Sequence, residues 1–563
     1  MIAHAALSIA LVLHPGPRAP GEPAGAPLPT IQPNDNRAPA GRLAAGVLRV
    51  TLRARLGRWN PDGARRAEPI IAAAFTADGA GPTIPGPLIR VRAGTRIRAR
   101  IVNDLPRGTP LVMHGLRTRP ATGADTLRVP SGGSREVEFD AGAPGTYYYW
   151  AATSDSATIE DRLGRDSQLN GALIVDPADG PVAPDRVFVL GVLVLLRDTP
   201  SGVPEEEAVA LSINGRSWPE TERMDLTVGD TVHWRWINPT VDNHPMHMHG
   251  FFYRVEAMGS EAADTAYSPD RRRMVVTQRL DPGATMAMTW SPTTPGQWLM
   301  HCHIHAHTSG ALVGDLRPPD GAHGADSARA LAVGDTVTGA HGAHPAPAPG
   351  AAADAEASAG IPPMDDMGGL ILGIRVRPAP AAAPGAPEMA ARHRLRLAVG
   401  PSVIRPDGEH IRVSLDDSRG AAADIGTPGP PIVLTRGEPS EITVVNGLEQ
   451  PTTIHWHGLE LESYYDGVAG WSGAERRIAP TIAPGDSFTA RMTPPRAGTF
   501  IYHAHNLATL QVGDGLVGPL LVLEPGERFD PSREIVWIVG GRDVEESGFL
   551  RLNGTRWPAP LTV

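Results

Sequence analysis

Lysine is absent from the 563-residue chain, so all 51 basic residues are arginine, and cysteine occurs once, as Cys302. A single thiol forms no intrachain disulfide, which excludes a disulfide-stapled scaffold. The 61 acidic residues give a net charge of −10 with no block of one sign, so neither nucleic acid nor an anionic membrane is an expected partner. No apolar run is long enough to span a bilayer.

Glycine and proline are abundant instead, at 63 and 57 residues. They separate short apolar runs that alternate with period two, as at 91–102 and 227–236. Such runs predict strands with one face on a core. The sequence therefore predicts an all-β protein of tandem Greek-key sandwich or barrel domains, with room for about four domains of about 150 residues.

The chain also repeats itself. The segment that begins at Pro85 (PGPLIRVRAGTRIRARIVNDLP) is similar to the one at Pro428 (PGPPIVLTRGEPSEITVVNGLEQP), and LSINGRSWP at Leu211 is similar to LRLNGTRWP at Leu550. A unit of about 340 residues with two domains thus occurs twice, and the second copy stops early, at Val563.

These features divide the chain into six predicted parts. The start, Met1 to Leu13, is apolar and fits the remnant of a secretory signal, which predicts a periplasmic or secreted protein. The parts are a possible signal remnant with a Pro/Gly-rich lead (1–44), a first domain (45–178), a second domain (185–318), an Ala/Pro/Gly-rich linker (319–390), a third domain (395–525) and the truncated start of a fourth (533–563).

Eleven of the 20 histidines fall in four short motifs, namely HPMHMHG (244–250), HCHIHAH (301–307), HWHG (455–458) and YHAH (502–505). Along a strand, the two histidines of H-x-H point to one face and can bind one metal or adjacent metals, whereas Cys302 faces away from its neighbours. Two histidines with one thiolate suit a blue-copper site, and sets of imidazoles alone suit copper. Zinc favours more thiolates or a carboxylate.

The four motifs resemble the copper-binding motifs of multicopper oxidases, the family of cupredoxin-domain proteins that includes laccases, ascorbate oxidase and ceruloplasmin. The resemblance covers about 45–318 and 395–563. It implies a type 1 copper held by His244, Cys302 and His307. The axial position is Leu312, where many members have methionine, which implies a high reduction potential.

The resemblance implies three further coppers, four in all. Asp466, after HWHG, matches an acidic position that assists protonation of oxygen in the family. His305 has no ligand counterpart and is expected to face solvent or to pack behind a ligand. The implied ligands are His247 and His455 for a type 2 copper, and His249, His301, His303, His457, His503 and His505 for a type 3 pair.

The first domain departs from this pattern. Val112, Met113 and His114 replace H-W-H, and Tyr149 to Ala152 read YWAA. We therefore expect no copper cluster there, so a trinuclear cluster has to form between the second and third domains. The pairing within one chain is favoured, although a homo-oligomer could share the cluster between chains.

The resemblance implies a copper-dependent, laccase-like oxidoreductase. A small reducing substrate, phenol-type or a metal ion, gives up single electrons at the type 1 copper, and O2 is reduced to water at the cluster. Cys302 connects the two centres because His301 and His303 flank it. Alternatives are a non-catalytic blue-copper electron-transfer or copper-binding protein, a copper nitrite reductase with type 1 and type 2 sites only, and a chain inactivated by its missing fourth domain.

Overall fold

The computed structural model describes residues 27–122, 126–155, 157–182, 184–197, 205–309, 367–380, 390–405, 408–419, 422–425, 428–542, 549–553 and 555–556. These residues are almost entirely β-structure, which confirms the predicted fold class. Leu312 and most of the predicted linker lie outside the described residues, as do the first 26 residues. Within the described ranges, no helix has the length and apolarity needed to cross a membrane.

The first domain consists of two packed sheets whose inward faces form one apolar core. One sheet has the order β1-β5-β4-β3-β7-β10 with β2 added to β3, and the other has the order β6-β12-β11-β8-β9. The strands are β1 (Gln32–Pro33), β2 (Arg42–Ala44), β3 (Val47–Trp59), β4 (Ile70–Ala77), β5 (Thr83–Ile84), β6 (Gly86–Arg92), β7 (Arg96–Asn103), β8 (Leu111–His114), β9 (Leu127–Val129), β10 (Ser134–Asp140), β11 (Gly145–Ala152) and β12 (Asn170–Asp176).

The second domain repeats this design around a core rich in Trp and Met side chains. Its sheets have the orders β14-β13-β16-β22-β18-β19, with β20 on β18, and β15-β24-β23-β17-β21. The strands are β13 (Arg186–Arg197), β14 (Glu205–Ile213), β15 (Arg223–Thr227), β16 (Val232–Ile237), β17 (His244–Met248), β18 (Tyr253–Gly259), β19 (Asp264–Ala266), β20 (Arg273–Val275), β21 (Thr277–Leu280), β22 (Thr285–Trp290), β23 (Gly296–Cys302) and β24 (Ile371–Arg377).

The prediction that residues 319–390 form a linker is wrong for one segment, strand β24. Strand β24 lies inside that range, yet it pairs with β15 on one side and with β23 on the other. Its Leu372 and Ile374 are fully buried in the core of the second domain. The Ala/Pro/Gly composition around this short apolar run hid a strand whose burial depends on partners far away in sequence.

The third domain has sheets of order β27-β26-β25-β29-β33 and β28-β35-β34-β30. A separate three-stranded sheet follows, within the range predicted to start a fourth domain. The elements are β25 (His393–Arg405), β26 (Gly408–Asp417), β27 (Ala422–Ile425), β28 (Ile432–Thr435), β29 (Ser440–Asn446), β30 (Ile454–His457), β31 (Gly473–Ala474), β32 (Arg477–Ile478), β33 (Ser487–Met492), β34 (Gly498–Ala504), α1 (Ala508–Gly513), β35 (Val517–Leu523), β36 (Val539–Arg542), β37 (Phe549–Leu552) and β38 (Thr555–Arg556).

The second and third domains are joined edge to edge, because β31 of the third domain pairs with β23 of the second. The Trp471 indole N–H donates to the carbonyl of Trp298 at 3.0 Å, and the Ser463 hydroxyl donates to the carbonyl of Gln297 at 2.6 Å. These bonds satisfy buried polar groups on both sides. They therefore hold β23, which carries HCH, against the third domain.

Candidate metal centres

Cys302, His244 and His307 form a compact triad in the second domain. The two histidine Nδ1 atoms are 3.2 Å apart, and Cys302 Sγ lies 3.6 Å from Nδ1 of His244 and 3.5 Å from that of His307. A point equidistant from three atoms so spaced is about 2 Å from each, which is the length of a metal–nitrogen bond. Burial raises the pKa of the Cys302 thiol to about 12, so a bound cation is needed to favour the thiolate at neutral pH.

The alternation of β17 and β23 places two centres on opposite faces of one sheet. In this antiparallel pair Met246 lies opposite Cys302, and His247 lies opposite His301. Because successive side chains point to opposite faces, the thiol faces the core while His247 and His301 face the third domain. His307 reaches the thiol from the short 3₁₀ turn His305–Thr308 that follows β23.

On that outer face, imidazoles from two domains converge. His247 Nε2 is 3.3 Å from His455 Nε2, and His303 Nε2 is 3.4 Å from His503 Nε2, so two close pairs cross the domain boundary within one chain. The structure thus brings these imidazoles of the second and third domains together within one chain. The eight imidazoles are His247, His249, His301 and His303 from the second domain and His455, His457, His503 and His505 from the third.

Hydrogen bonds on the outer nitrogens fix the tautomers of five of these rings. Each Nδ1 lies near a carbonyl or carboxylate oxygen, which only accepts, so Nδ1 carries the proton and Nε2 keeps its lone pair. The Nε2 lone pairs point into the cluster, where pairs of Nε2 atoms lie 2.9 to 3.4 Å apart, and they repel one another unless a cation lies between them. The acceptors are Val276 O for His247 (3.0 Å), Asp466 Oδ2 for His249 (2.8 Å), Cys302 O for His301 (2.8 Å), Asp466 O for His455 (2.7 Å) and Ala504 O for His503 (2.8 Å).

His457 has the opposite orientation. Its Nε2 lies 3.2 Å from the Thr277 hydroxyl, while its Nδ1 is buried and has no hydrogen-bond partner in the structure. An orphaned buried nitrogen costs free energy, and a metal ligated by Nδ1 would remove that cost. The donor set therefore fits a metal cluster held entirely by imidazole.

The close contacts among the eight rings include three groups that follow the predicted sets. His247 and His455 form one pair. His249 and His301 have Nε2 atoms 2.9 Å apart, and the His505 ring lies 5.2 Å and 5.9 Å from theirs. The third group is His303, His457 and His503, whose ligand atoms lie within 4.8 Å of one another. Other contacts cross these groups, since the His247 ring stacks on that of His457 at 3.7 Å and the His249 ring on that of His455 at 3.9 Å. The assignment of ligands to type 2 and type 3 coppers therefore stays a prediction.

Burial makes these rings poor bases. It lowers the pKa of His301 to about 4 and, together with repulsion between neighbouring rings, lowers the pKa of six other rings well below 6.5. These seven rings are consequently neutral at pH 7, as metal ligands have to be. The six are His247, His249, His303, His457, His503 and His505.

Asp466 lies fully buried at the edge of the cluster, in contact with ligands from both domains. Its Oδ2 accepts from His249 Nδ1–H and from the Ser472 hydroxyl at 3.1 Å, while its Oδ1, 3.4 Å from His455 Nδ1, has no hydrogen-bond partner among the described residues. Gly467, at φ +89°, permits this placement, since a Cβ there would lie 2.0 Å from the Ile454 carbonyl oxygen. The carboxylate can therefore orient His249 and still accept a proton.

The remaining predicted residues are placed less centrally. His305 is half-buried, with its ring 5.5 Å from that of His303, and it belongs to none of the ligand groups. Sequence reasoning missed three side chains that contact ligands: Thr240 at 2.9 Å from His244 Nε2, Asp242 at 3.7 Å from His307 Nε2, and Thr277. No motif marks these residues, because their role depends on distant partners.

Sequence models of multicopper oxidase domains match residues 195–321 in one case and 74–179 and 410–527 in another. Together the matches cover more than half of the chain. The chain therefore belongs to the multicopper oxidase family, which confirms the resemblance seen in its motifs.

Individual relatives match only in part. The probable nitrite reductase-hydroxylamine oxidoreductase fusion protein of Kuenenia stuttgartiensis is 26% identical over 270 residues, 43% of this chain and 28% of that protein. Laccase-2 of Botryotinia fuckeliana is 40% identical over 133 residues, 23% of this chain and 20% of that protein. The solved blue copper oxidase from Nitrosomonas europaea aligns with 58% of this chain and 85% of its own, at 19% identity and a TM-score of 0.39. The matched part of the chain thus spans less than a third of the length of each of these two curated relatives.

Proposed function

We propose that the chain is a copper-dependent oxidase with one type 1 copper and a three-copper cluster. It oxidises a small donor, phenol-type or a metal ion, one electron at a time and reduces O2 to water. Bound copper would supply the one-electron redox chemistry. A periplasmic or secreted location remains part of this proposal.

The second domain's own residues set the entry point for electrons. His244 is fully buried, whereas 13% of the His307 side chain is exposed. His307 is therefore the triad ligand that a donor in solution can reach, with the half-exposed Asp242 beside it. From the Cys302 thiolate, the chain continues through one peptide unit on either side to His301 and His303, which gives a short covalent route to the cluster.

Asp466 would hold a proton and supply it at the cluster. Its unpartnered Oδ1 can hold a proton at a position 3.4 Å from His455 Nδ1, while Oδ2 keeps His249 oriented. Water formation consumes protons, so an acid inside a buried site shortens their path.

The proposal depends mainly on one observation, the convergence of bare imidazole nitrogens from two domains within one chain. A blue-copper carrier needs only the triad, and it gives no reason for eight further clustered histidines, five of which have tautomers fixed by hydrogen bonds on Nδ1. A nitrite reductase with type 1 and type 2 sites leaves the two groups of three rings unexplained.

Copper analysis and absorption spectra of the purified chain test the proposal. We expect about four coppers per chain, a visible thiolate-to-copper band and the near-ultraviolet shoulder of a coupled pair. Cys302→Ser should lose the visible band and oxidase turnover while retaining the shoulder. Met248→Leu is a volume-conserving change in the same buried core and is the matched control. It should keep the visible band, the near-ultraviolet shoulder and oxidase turnover. About one copper per wild-type chain would establish the carrier alternative instead.

A further inference from the structure

We infer that Thr277 is a positioning residue that holds His457 of the third domain against the second domain, with its Nδ1 facing the cluster. The inference rests on the proposed function, because it assigns a role within the proposed three-copper cluster. No sequence motif contains Thr277, and its importance comes from a contact between residues 180 positions apart.

The hydroxyl lies between two ligand rings. Thr277 stands directly opposite His247 in the pairing of β17 with β21. Its Oγ1 lies 3.1 Å from His247 Nδ1 and 3.2 Å from His457 Nε2. The two rings stack face to face, 3.7 Å apart and inclined by 11°. One hydroxyl of the second domain therefore connects a ligand of each domain.

Counting donors and acceptors fixes what the hydroxyl does. His247 Nδ1 carries its proton, because it also lies 3.0 Å from the Val276 carbonyl, which only accepts. Oγ1 therefore acts as an acceptor toward His247, and its second lone pair is available to His457 Nε2–H. With the proton on Nε2, the buried Nδ1 of His457 keeps a lone pair for a metal.

The alternative tautomer is unfavourable. If Oγ1–H donated to His457 Nε2, the Nδ1 proton would point into the cluster, where the structure shows no acceptor for it. Thr277 thus selects the tautomer that completes the group His303, His457 and His503. Ser463 and Trp471 fasten the domains elsewhere, so removing the hydroxyl should affect the ligand more than the docking of the domains.

Two substitutions in the full chain separate this role from general packing. Thr277→Val keeps the β-branched shape and removes the hydroxyl, whereas Thr277→Ser keeps the hydroxyl. Copper itself is the probe, titrated against a chelator, with the visible thiolate band as an internal reference for the second domain. We expect Thr277→Val to lose the near-ultraviolet shoulder and to bind the cluster coppers about 10- to 100-fold more weakly. Thr277→Ser should behave as wild type, and both should keep the visible band.

The other outcomes are distinct. A Thr277→Val chain with wild-type copper affinity and an intact shoulder overturns this inference and leaves the proposed function standing. Loss of the visible band in Thr277→Val also overturns it, because the damage then extends to the fold of the second domain. A wild-type chain without the shoulder overturns the proposed function, and the inference with it.

Discussion

The first and third domains share a scaffold but differ at three of four corresponding positions, where Val112, Trp150 and Ala152 stand in place of His455, His503 and His505. In both, a buried tyrosine donates to the carbonyl of an equivalent proline, Tyr149 to Pro87 at 2.7 Å and Tyr502 to Pro430 at 2.9 Å. The strand that contains each tyrosine pairs with the short strand that carries the other two positions, but Trp150 lies opposite His114 whereas His503 lies opposite His455. The same two strands thus pair in both domains, with registers that differ by two residues.

What differs is the use of those positions. In the third domain they are histidines that face the second domain's ligands. In the first domain His114 stacks on Trp150, with rings 4.0 Å apart and inclined by 10°. The Trp150 indole N–H donates to Glu261, and the Arg162 guanidinium lies 5.2 Å above its ring. Corresponding strand positions therefore serve packing between domains in one copy and an imidazole cluster in the other.

The largest effect is expected from paired substitutions at one corresponding position. His503→Ala removes a ring whose Nε2 lies 3.4 Å from that of His303, so the near-ultraviolet shoulder and oxidase turnover should be lost. Trp150→Phe, at the matching place in the first domain, should leave copper content and turnover unchanged and lower stability by about 1 kcal/mol through its lost hydrogen bond. Metal analysis, turnover assays and thermal unfolding measure these outcomes.

The comparison would fail in a specific way. If Trp150→Phe reduced copper content as His503→Ala does, then the first domain would take part in metal binding although it lacks three of the four corresponding histidines.

A smaller effect is expected at Asp466, which lies buried beside His249 and His455. Asp466→Asn preserves size but removes the carboxylate that orients His249 and can hold a proton. We expect turnover to fall about 100-fold, within the range typical of general acid–base residues, with the visible thiolate band unchanged. Ser472→Ala, which removes one donor to Oδ2, should cause a smaller loss. Equal turnover of Asp466→Asn and wild type would remove Asp466 from the proton path.

Much of the site could be predicted from sequence because its ligands lie in local patterns. H-x-H on a strand fixes that both rings share a face, and HCH fixes that the thiol faces the other way. These rules need no tertiary information. The structure accordingly brings together His244, Cys302 and His307 on one side of β23, and His301 with His303 on the side of the cluster.

The remainder depends on contacts between distant segments. β24 is short and lies in an Ala/Pro/Gly-rich region, so only its pairing with β15 and β23 makes it a strand. In the sequence, nothing distinguishes Thr277 from the other threonines. Only in the folded chain does it contact His457 of the third domain. The choice of Nδ1 or Nε2 in each ring is equally invisible in sequence, because backbone carbonyls of the folded chain decide it.

The metal-free protein is also expected to respond to acid. Histidine has an ordinary pKa of 6.5, and burial lowers that of His301 to about 4 in the folded chain. Between these values the unfolded chain binds a proton that the folded chain does not. The contribution of His301 to the free energy of unfolding is therefore complete above about pH 6.5 and falls by about 1.4 kcal/mol per pH unit down to about pH 4.

Hydrogen exchange on the copper-free chain locates this effect. Between pH 7 and pH 5, protection should fall in β30 and β34, which carry buried ligand rings, and much less in β8 and β11 of the first domain, where Val112, Trp150 and Ala152 replace histidines. Copper should abolish the difference, because metal binding stabilises the neutral rings in the folded state. Equal loss of protection in both domains would instead show that acid acts on the general charge of the protein and not on the ligand cluster.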